Sequence, residues 1–319
     1  NRLGATGTLE RYMQFIFNLI AELPGECLQP VYALNGAPDL TERIVSSLAG
    51  YRRMQPVRVG NQAYEQIQHD VYGAAILGVA HAFFDVRMRG LADESAFLRL
   101  EPLGERAWEV HELPDAGIWE LRGSKHIHTF SVLMCWAACD RLARIAHCLN
   151  KLERAQFWQA RAEVIHAKIC QRAWSEEKQA FVASFGGRSL DASVLLMTEL
   201  KFLPPDDSRL RSSIERIGTE LKSGRFLLRY RDKDDFGYPE NAFVVCTFWY
   251  VQALAYIGEK QRARDLFEEI LAFTNKFGLL SEDISPETGE LWGNYPQTYS
   301  LVGVISCAAK LSTSWEDAF

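Results

Sequence analysis

The stretch FSVLMCWAACDRLARIAHCL, residues 130–149, decides how this chain folds. Leu133, Met134, Ala137, Ala138, Leu142 and Ile145 recur at spacings of three and four and cover a wide arc of a helix. A helix apolar over most of its girth is buried on both sides. Phe243–Ile257 has the same character. Between these lie narrower stripes: Leu9, Tyr12, Met13, Ile16 and Ile20; Ala155, Trp158, Ala162, Ile165 and Ile169; Leu210, Ile214, Ile217 and Leu221; Ala263, Leu266, Ile270 and Phe273. Buried helices alternating with amphipathic ones imply two concentric layers, the logic of an all-α, α/α-barrel fold. A helical solenoid needs a fixed repeat, and none is found. The spacing predicts about ten helical segments.

Breakers separate these pieces. Pro204-Pro205-Asp206-Asp207-Ser208 ends one segment and caps the next. Extended signals are few: Gln29–Leu34, Pro56–Val59 and Arg225–Tyr230. No β-α-β rhythm appears, which excludes a parallel-sheet fold. The longest irregular stretches, Glu22–Asn61 and Trp174–Ser189, are of a length usually kept for function.

Composition narrows the function classes. The 319 residues are 48% hydrophobic and 24% charged, as in ordinary globular chains. With 35 basic and 41 acidic residues the net charge is −6, and no basic stripe offers a nucleic-acid footprint. No apolar run reaches the ~18 residues of a membrane helix. The seven cysteines are odd in number and form no C-x-x-C, which reads as free thiols in a reducing compartment. With no signal peptide at Asn1, the expected location is cytoplasmic. Nucleotide-binding glycine motifs and zinc-protease motifs are absent, so no cofactor or metal is expected. His126 and His128 are too closely spaced to form a metal site without outside ligands. Asp232, Asp234 and Asp235 read as a solvated acidic turn.

Two carboxylates sit in unusual company. Glu120 lies in Asp115-Ala116-Gly117-Ile118-Trp119-Glu120-Leu121-Arg122-Gly123, just before the apolar run. Flanking Trp and Leu would desolvate it, raise its pKa and suit it to general acid work. Glu282 lies in Gly278-Leu279-Leu280-Ser281-Glu282-Asp283-Ile284, ahead of Trp292-Gly293-Asn294-Tyr295-Pro296-Gln297. Each alone also fits a helix cap or a salt bridge. Two loop carboxyls among aromatics fit glycoside hydrolysis, which needs a carboxyl pair and flat apolar faces for sugars.

At these residues the chain resembles the catalytic domain of glycoside hydrolase family 15, the glucoamylase, glucodextranase and bacterial-type trehalase group. The resemblance runs in order through Leu28-Gln29-Pro30-Val31-Tyr32, Gly50-Tyr51-Arg52, Pro56-Val57-Arg58-Val59-Gly60-Asn61 and Gln68-His69-Asp70-Val71-Tyr72-Gly73. It continues through Gly117-Ile118-Trp119-Glu120, Cys135-Trp136-Ala137, Leu190-Asp191-Ala192-Ser193, Tyr230-Arg231, Phe248-Trp249 and Leu280-Ser281-Glu282. It implies an (α/α)6 barrel spanning 1–319 as one catalytic domain. It also implies an inverting, exo-acting hydrolase of α-linked glucosides. By motif position Glu120 is the general acid and Glu282 the general base, the two separated by about 6.5–9.5 Å to admit a water. Trp119, Arg122, Tyr32, Asp70, Arg229, Arg231, Glu240 and Trp292 fall in segments that resemble substrate-contacting ones. Asp70 fits a helix-N-terminal carboxylate equally well. Trp136, Trp158 and Trp249 lie on periodic apolar faces and are expected in the core. The implied partner is an α-glucoside oligosaccharide or polysaccharide, with neither nucleic acid nor membrane. Two other readings are a catalytically silent carbohydrate-binding α/α barrel and another barrel enzyme such as a sugar epimerase or prenyltransferase subunit.

The chain departs from the family pattern in two places. Ser131 is followed by Val132 where many members carry Lys. The upstream Trp-x-Arg-Asp stretch of the family does not occur. Together with a helix count two short of twelve, this leads us to expect a chain lacking the first hairpin. Such a chain would be weakly active alone and would expose an apolar seam prone to self-association.

Overall fold

A computed structural model describes residues 5–22, 27–88, 90–235 and 237–312. Ten α-helices occur among them: α1 Thr6–Glu22, α2 Asp70–Phe84, α3 Glu94–Val110, α4 Thr129–Cys148, α5 Leu152–Arg172, α6 Met197–Leu200, α7 Ser208–Glu220, α8 Val244–Tyr256, α9 Lys260–Leu271 and α10 Thr298–Leu311. The chain divides into two compact units, Asn1–Ala167 and Lys168–Phe319. No helix among the described residues is long and apolar enough to cross a membrane.

In the N-terminal unit α4 is the centre. It is buried from Thr129 to Asp140 without interruption, then at Leu142, Ala143, Ile145 and Ala146. Helices α2 and α3 pack against it, and α1 packs on α2. The α2–α4 approach is set by Gly73, where a Cβ would collide with the Met134 carbonyl. Outside this layer α5 turns one stripe inward, with Trp158, Ala162, Ile165 and Ile169 buried. Trp158 is fully enclosed and donates its indole N–H to Glu101 Oε1 at 2.7 Å, where Arg154 Nε also donates at 2.7 Å. A buried indole N–H without an acceptor would cost about 1–3 kcal/mol.

In the C-terminal unit α8 is the centre, buried at Val244–Phe248 and Tyr250–Leu254. It packs against α9, α10 and the 3-10 turn Ala192–Leu196. Amphipathic α7 buries Leu210, Ile214 and Ile217 and is followed by buried Leu221, the stripe expected from sequence. Its N-cap is Asp207, whose Oδ1 accepts from Arg209 N at 2.8 Å and Leu210 N at 3.2 Å. That satisfies donors which a helix start leaves orphaned.

The strands are two-residue hairpin rungs: β1 Arg43–Ile44 with β2 Arg58–Val59, β3 Trp174–Ser175 with β4 Ala180–Phe181, and β5 Lys222–Ser223 with β6 Phe226–Leu227. The largest ladder is three-stranded, β7 Ala242–Phe243, β8 Asp283–Ile284 and β9 Leu291–Trp292, all antiparallel. Residues 29–34, an expected extended piece, pair with no strand; Gln29 N donates to Tyr32 Oη at 2.8 Å. Trp136 and Trp158 are core as expected, whereas Trp249 is half-buried because it sits at the edge of the buried face of α8.

Candidate active site

Glu120 hangs from a turn tied by four hydrogen bonds. Glu120 N donates to Gly117 O at 3.1 Å, and Leu121 N to Ala116 O at 3.2 Å. Across the unit, Ala116 N donates to Ile67 O at 3.0 Å and Gln66 Nε2 donates to Glu120 O at 3.0 Å. Glu120 itself adopts φ 58°, a left-handed backbone that few non-glycine residues accept. Such conformations persist where surrounding structure over-determines them, often at active sites. The expectation that Trp119 and Leu121 bury Glu120 is corrected here. Both neighbours are only half-buried and Glu120 is exposed.

The burial lies one layer beneath. Asp115 is fully buried. Its Oδ2 accepts from His69 N at 2.7 Å and from Ser131 Oγ at 2.7 Å. Its backbone forms an antiparallel bridge with His126. One carboxylate thus joins the start of α2, the start of α4 and the Glu120 turn. Desolvation raises Asp115 to about 6, against the lowering pull of those donors. Asp70, the first residue of α2, is buried in the same place. Desolvation first, then the charges of Asp115 and Glu120, raise it to about 7. So Asp70 is both a helix-N-terminal carboxylate and buried under the Glu120 turn, not displayed at a mouth. Burial holds His69 and His128 down at about 4, so both are neutral near pH 7. The His128 ring lies against Gly117 at φ +70°, where a Cβ would come 2.7 Å from the imidazole.

Glu282 is held more tightly. Its Oε2 accepts from Asn294 N and Asn294 Nδ2, both at 3.0 Å, and its Oε1 lies 3.5 Å from Gln297 Nε2. Its backbone is fixed by Glu282 N to Asn294 O and Val244 N to Glu282 O, each 2.9 Å. Gly293, at φ +76°, backs onto the carboxylate, where a Cβ would come 2.8 Å from Oε2. The next residue, Asp283, starts β8 and pairs in register with Trp292. Desolvation and then the charge of Glu282 raise Asp283 to about 7, against the lowering pull of Arg229.

The remaining candidates divide by what already holds them. Arg229 Nη2 donates to Asp234 Oδ2 at 2.6 Å, and Tyr230 Oη donates to the same oxygen at 2.7 Å. Asp234 is therefore enclosed by its neighbours, and the solvated acidic turn read from sequence is corrected at that residue. Arg231 is exposed and donates to the Glu220 and Lys222 carbonyls. Arg122 Nη1 donates to Gln62 Oε1 at 3.1 Å, and its Nη2 lies 3.5 Å from Glu42. Tyr32, Trp119 and Trp292 are half-buried, and Glu240 is exposed. Sequence reading missed Gln66, Asp115, Asn294 and Gln297 as supports, although the last two lie in the quoted stretch after Glu282.

Residues 3–309 match the glycosyl hydrolases family 15. The chain belongs to glycosyl hydrolase family 15. Among its relatives, the trehalase of Mycolicibacterium smegmatis is 34% identical over 319 residues, covering 97% of this chain and 47% of that protein. The chain spans about half the length of the curated relatives it matches. Among solved structures, the glucoamylase of Saccharomycopsis fibuligera superposes with a TM-score of 0.69 at 14% identity, over 98% of this chain and 82% of that one. A bacterial glucoamylase complexed with acarbose gives 0.64 at 14% identity, over 95% and 48%. These likenesses show the fold of this family 15 chain, the all-α (α/α)6 barrel architecture of glucoamylases.

Proposed function

We propose that this chain supplies both catalytic carboxyls of an inverting hydrolase of α-linked glucosides, with trehalose as its substrate. Glu120 is the general acid and protonates the glycosidic oxygen. Glu282 is the general base and removes a proton from the water that attacks the anomeric carbon from the opposite face. The observation that carries the assignment is the contrast in their supports. Two Asn294 N–H groups at 3.0 Å fix one oxygen of Glu282, an arrangement that suits an ionised carboxylate accepting a proton. Glu120 stands over the Asp70–Asp115 pair, whose remaining negative charge disfavours a second one beside it, which suits a group that begins the cycle protonated. Trp119, Trp292, Arg122 and Glu240 are the side chains we assign to sugar contacts, with aromatic faces for the ring and polar groups for hydroxyls. The trehalase name of the mycobacterial relative supports the choice of substrate.

The test uses two substrates and the full-length gene product. α-Glucosyl fluoride carries a leaving group that needs no proton. Glu120→Gln is expected to lose turnover of trehalose but keep most of its turnover of the fluoride. Glu282→Gln is expected to lose both. Equal loss of both substrates in Glu120→Gln contradicts the acid assignment.

A further inference from the structure

A layer of titratable groups beneath Glu120 takes no direct part in the reaction just described. Asp70 and Asp115 are both buried, and the Oδ1 of each has no hydrogen-bond donor in reach among the described residues. A buried carboxylate oxygen without a donor is costly, and the like charge of Asp115 adds to the cost at Asp70. The other atoms of Asp115 are well supplied. Its Oδ2 takes the His69 N–H and the Ser131 hydroxyl at 2.7 Å each. Asp70 has no comparable set. The groups facing it are the acidic Asp115 and Glu120 from the turn and the Cys135 thiol from α4. Adjacent His69 faces Arg106 of α3 and Lys125, and His128 faces His126. The cations therefore lie on the histidine side of the cluster.

Resting on the assignment of Glu120 as general acid, we propose that Asp70 is a positioning residue that stays protonated, gives its hydrogen to Asp115, and so pins the Glu120 turn to the start of α2. One proton shared by the two carboxyls supplies a donor where both Oδ1 atoms lack one. It also leaves a single negative charge, placed on the member whose Oδ2 already accepts two other hydrogen bonds. The charge order agrees, since Asp115 is raised to about 6 and Asp70 to about 7. When Asp70 loses its proton near pH 7, the tie becomes a repulsion between two buried anions directly under the acid. The turn then keeps its bonds to Ile67, Gln66, His69 and Ser131 but loses the tie to Asp70. Activity is expected to fall on the alkaline side for that reason.

The experiment compares wild type, Asp70→Asn, Asp70→Ala and Glu120→Gln of the full-length protein. Asparagine keeps an N–H donor toward Asp115 but cannot ionise. Asp70→Asn is expected to lose only 2–5-fold in kcat and to carry its alkaline limb at least one pH unit higher. Asp70→Ala is expected to lose 10-fold or more in kcat with a smaller change in KM. An unmoved or lowered limb in Asp70→Asn, or equal damage in both variants, overturns the proposal. A readout independent of turnover is the infrared C=O band of a protonated carboxyl at pH 6.5. Because Asp283 is also largely protonated at that pH, the signal is the wild-type minus Asp70→Asn difference, a C=O band lost with Asp70 and lost equally when Asp70→Asn is made in Glu120→Gln. The band without turnover in any variant would sink the hydrolase reading and leave the shared proton standing. Turnover without the band would do the reverse.

Discussion

The two compact units hold their buried carboxyls in different company. All seven histidines lie in the N-terminal unit and none in the C-terminal one. Beneath Glu120, Asp70 and Asp115 sit with His69 and His128, which burial keeps neutral near pH 7. Beside Glu282, Asp283 feels Arg229, and Asp234 takes both the Arg229 guanidinium and the Tyr230 hydroxyl. Arg229 pulls Asp283 down but does not outweigh burial and the charge of Glu282. A dry cluster of carboxyls and neutral imidazoles favours a retained proton.

The largest effect that tests this contrast is catalytic. Glu120→Gln and Glu282→Gln should each lower trehalose turnover by about 10²–10⁴-fold, measured as kcat. If either substitution is mild, the two-carboxyl account fails for that half.

The packing of each unit offers the next test. Trp158→Ala in the N-terminal unit and Phe248→Ala in the C-terminal unit each empty a fully enclosed site. Each should cost about 3–5 kcal/mol in denaturant unfolding. Separate transitions, one shifted by each variant, would show that the units unfold independently. One shared transition would show a single cooperative body.

The pH dependence of stability should also differ between the halves. Asp70, Asp115 and Asp283 have folded pKa values of about 7, 6 and 7, above the roughly 3.9 of an unfolded Asp. Their contribution is fully present below about pH 4 and is lost as pH rises through 6–7. His69 and His128, at about 4 when folded against roughly 6.5 unfolded, contribute above about pH 6.5 and lose that as pH falls through 4. The two trends oppose each other in the N-terminal unit only. Asp283→Asn should flatten the decline of Tm between pH 4 and 7. Asp70→Asn should leave the histidine trend more visible, so that Tm drops more steeply on acidification from pH 6.5 to 4. Parallel Tm curves in both variants would erase the distinction between the halves.

The smallest effects concern the supports. Asn294→Ala removes one of two donors to Glu282 Oε2 and should lower kcat about 10-fold, because the backbone N–H remains. Gln66→Leu removes the tie to the Glu120 carbonyl and should cost a few-fold at most, since the other turn bonds remain.

The sequence carried the helices well and the site unevenly. Stripes such as Leu210, Ile214, Ile217 and Leu221 are legible because helical period and burial share one cause. Two-residue rungs such as β8 are not, since pairing of Asp283 with Trp292 is decided by chain closure over a distance. Glu120 and Glu282 stood out by their motifs. The environment of Glu120 did not, because apolar neighbours in sequence do not fix burial: Trp119 and Leu121 are half-buried and Glu120 is exposed in a left-handed turn. Asp115 was hidden for the converse reason. Its partners His69 and Ser131 are 46 and 16 residues distant, and nothing local marks a carboxylate as buried.

The most direct test of the central claim is proton NMR of freshly cleaved trehalose with the full-length gene product. Inversion at the attacked carbon yields β-glucose from one ring, while the other ring departs with its α configuration intact. The account predicts equal α- and β-glucose before mutarotation, abolished in Glu282→Gln. Two equivalents of α-glucose, or the β signal persisting in that variant, would contradict it.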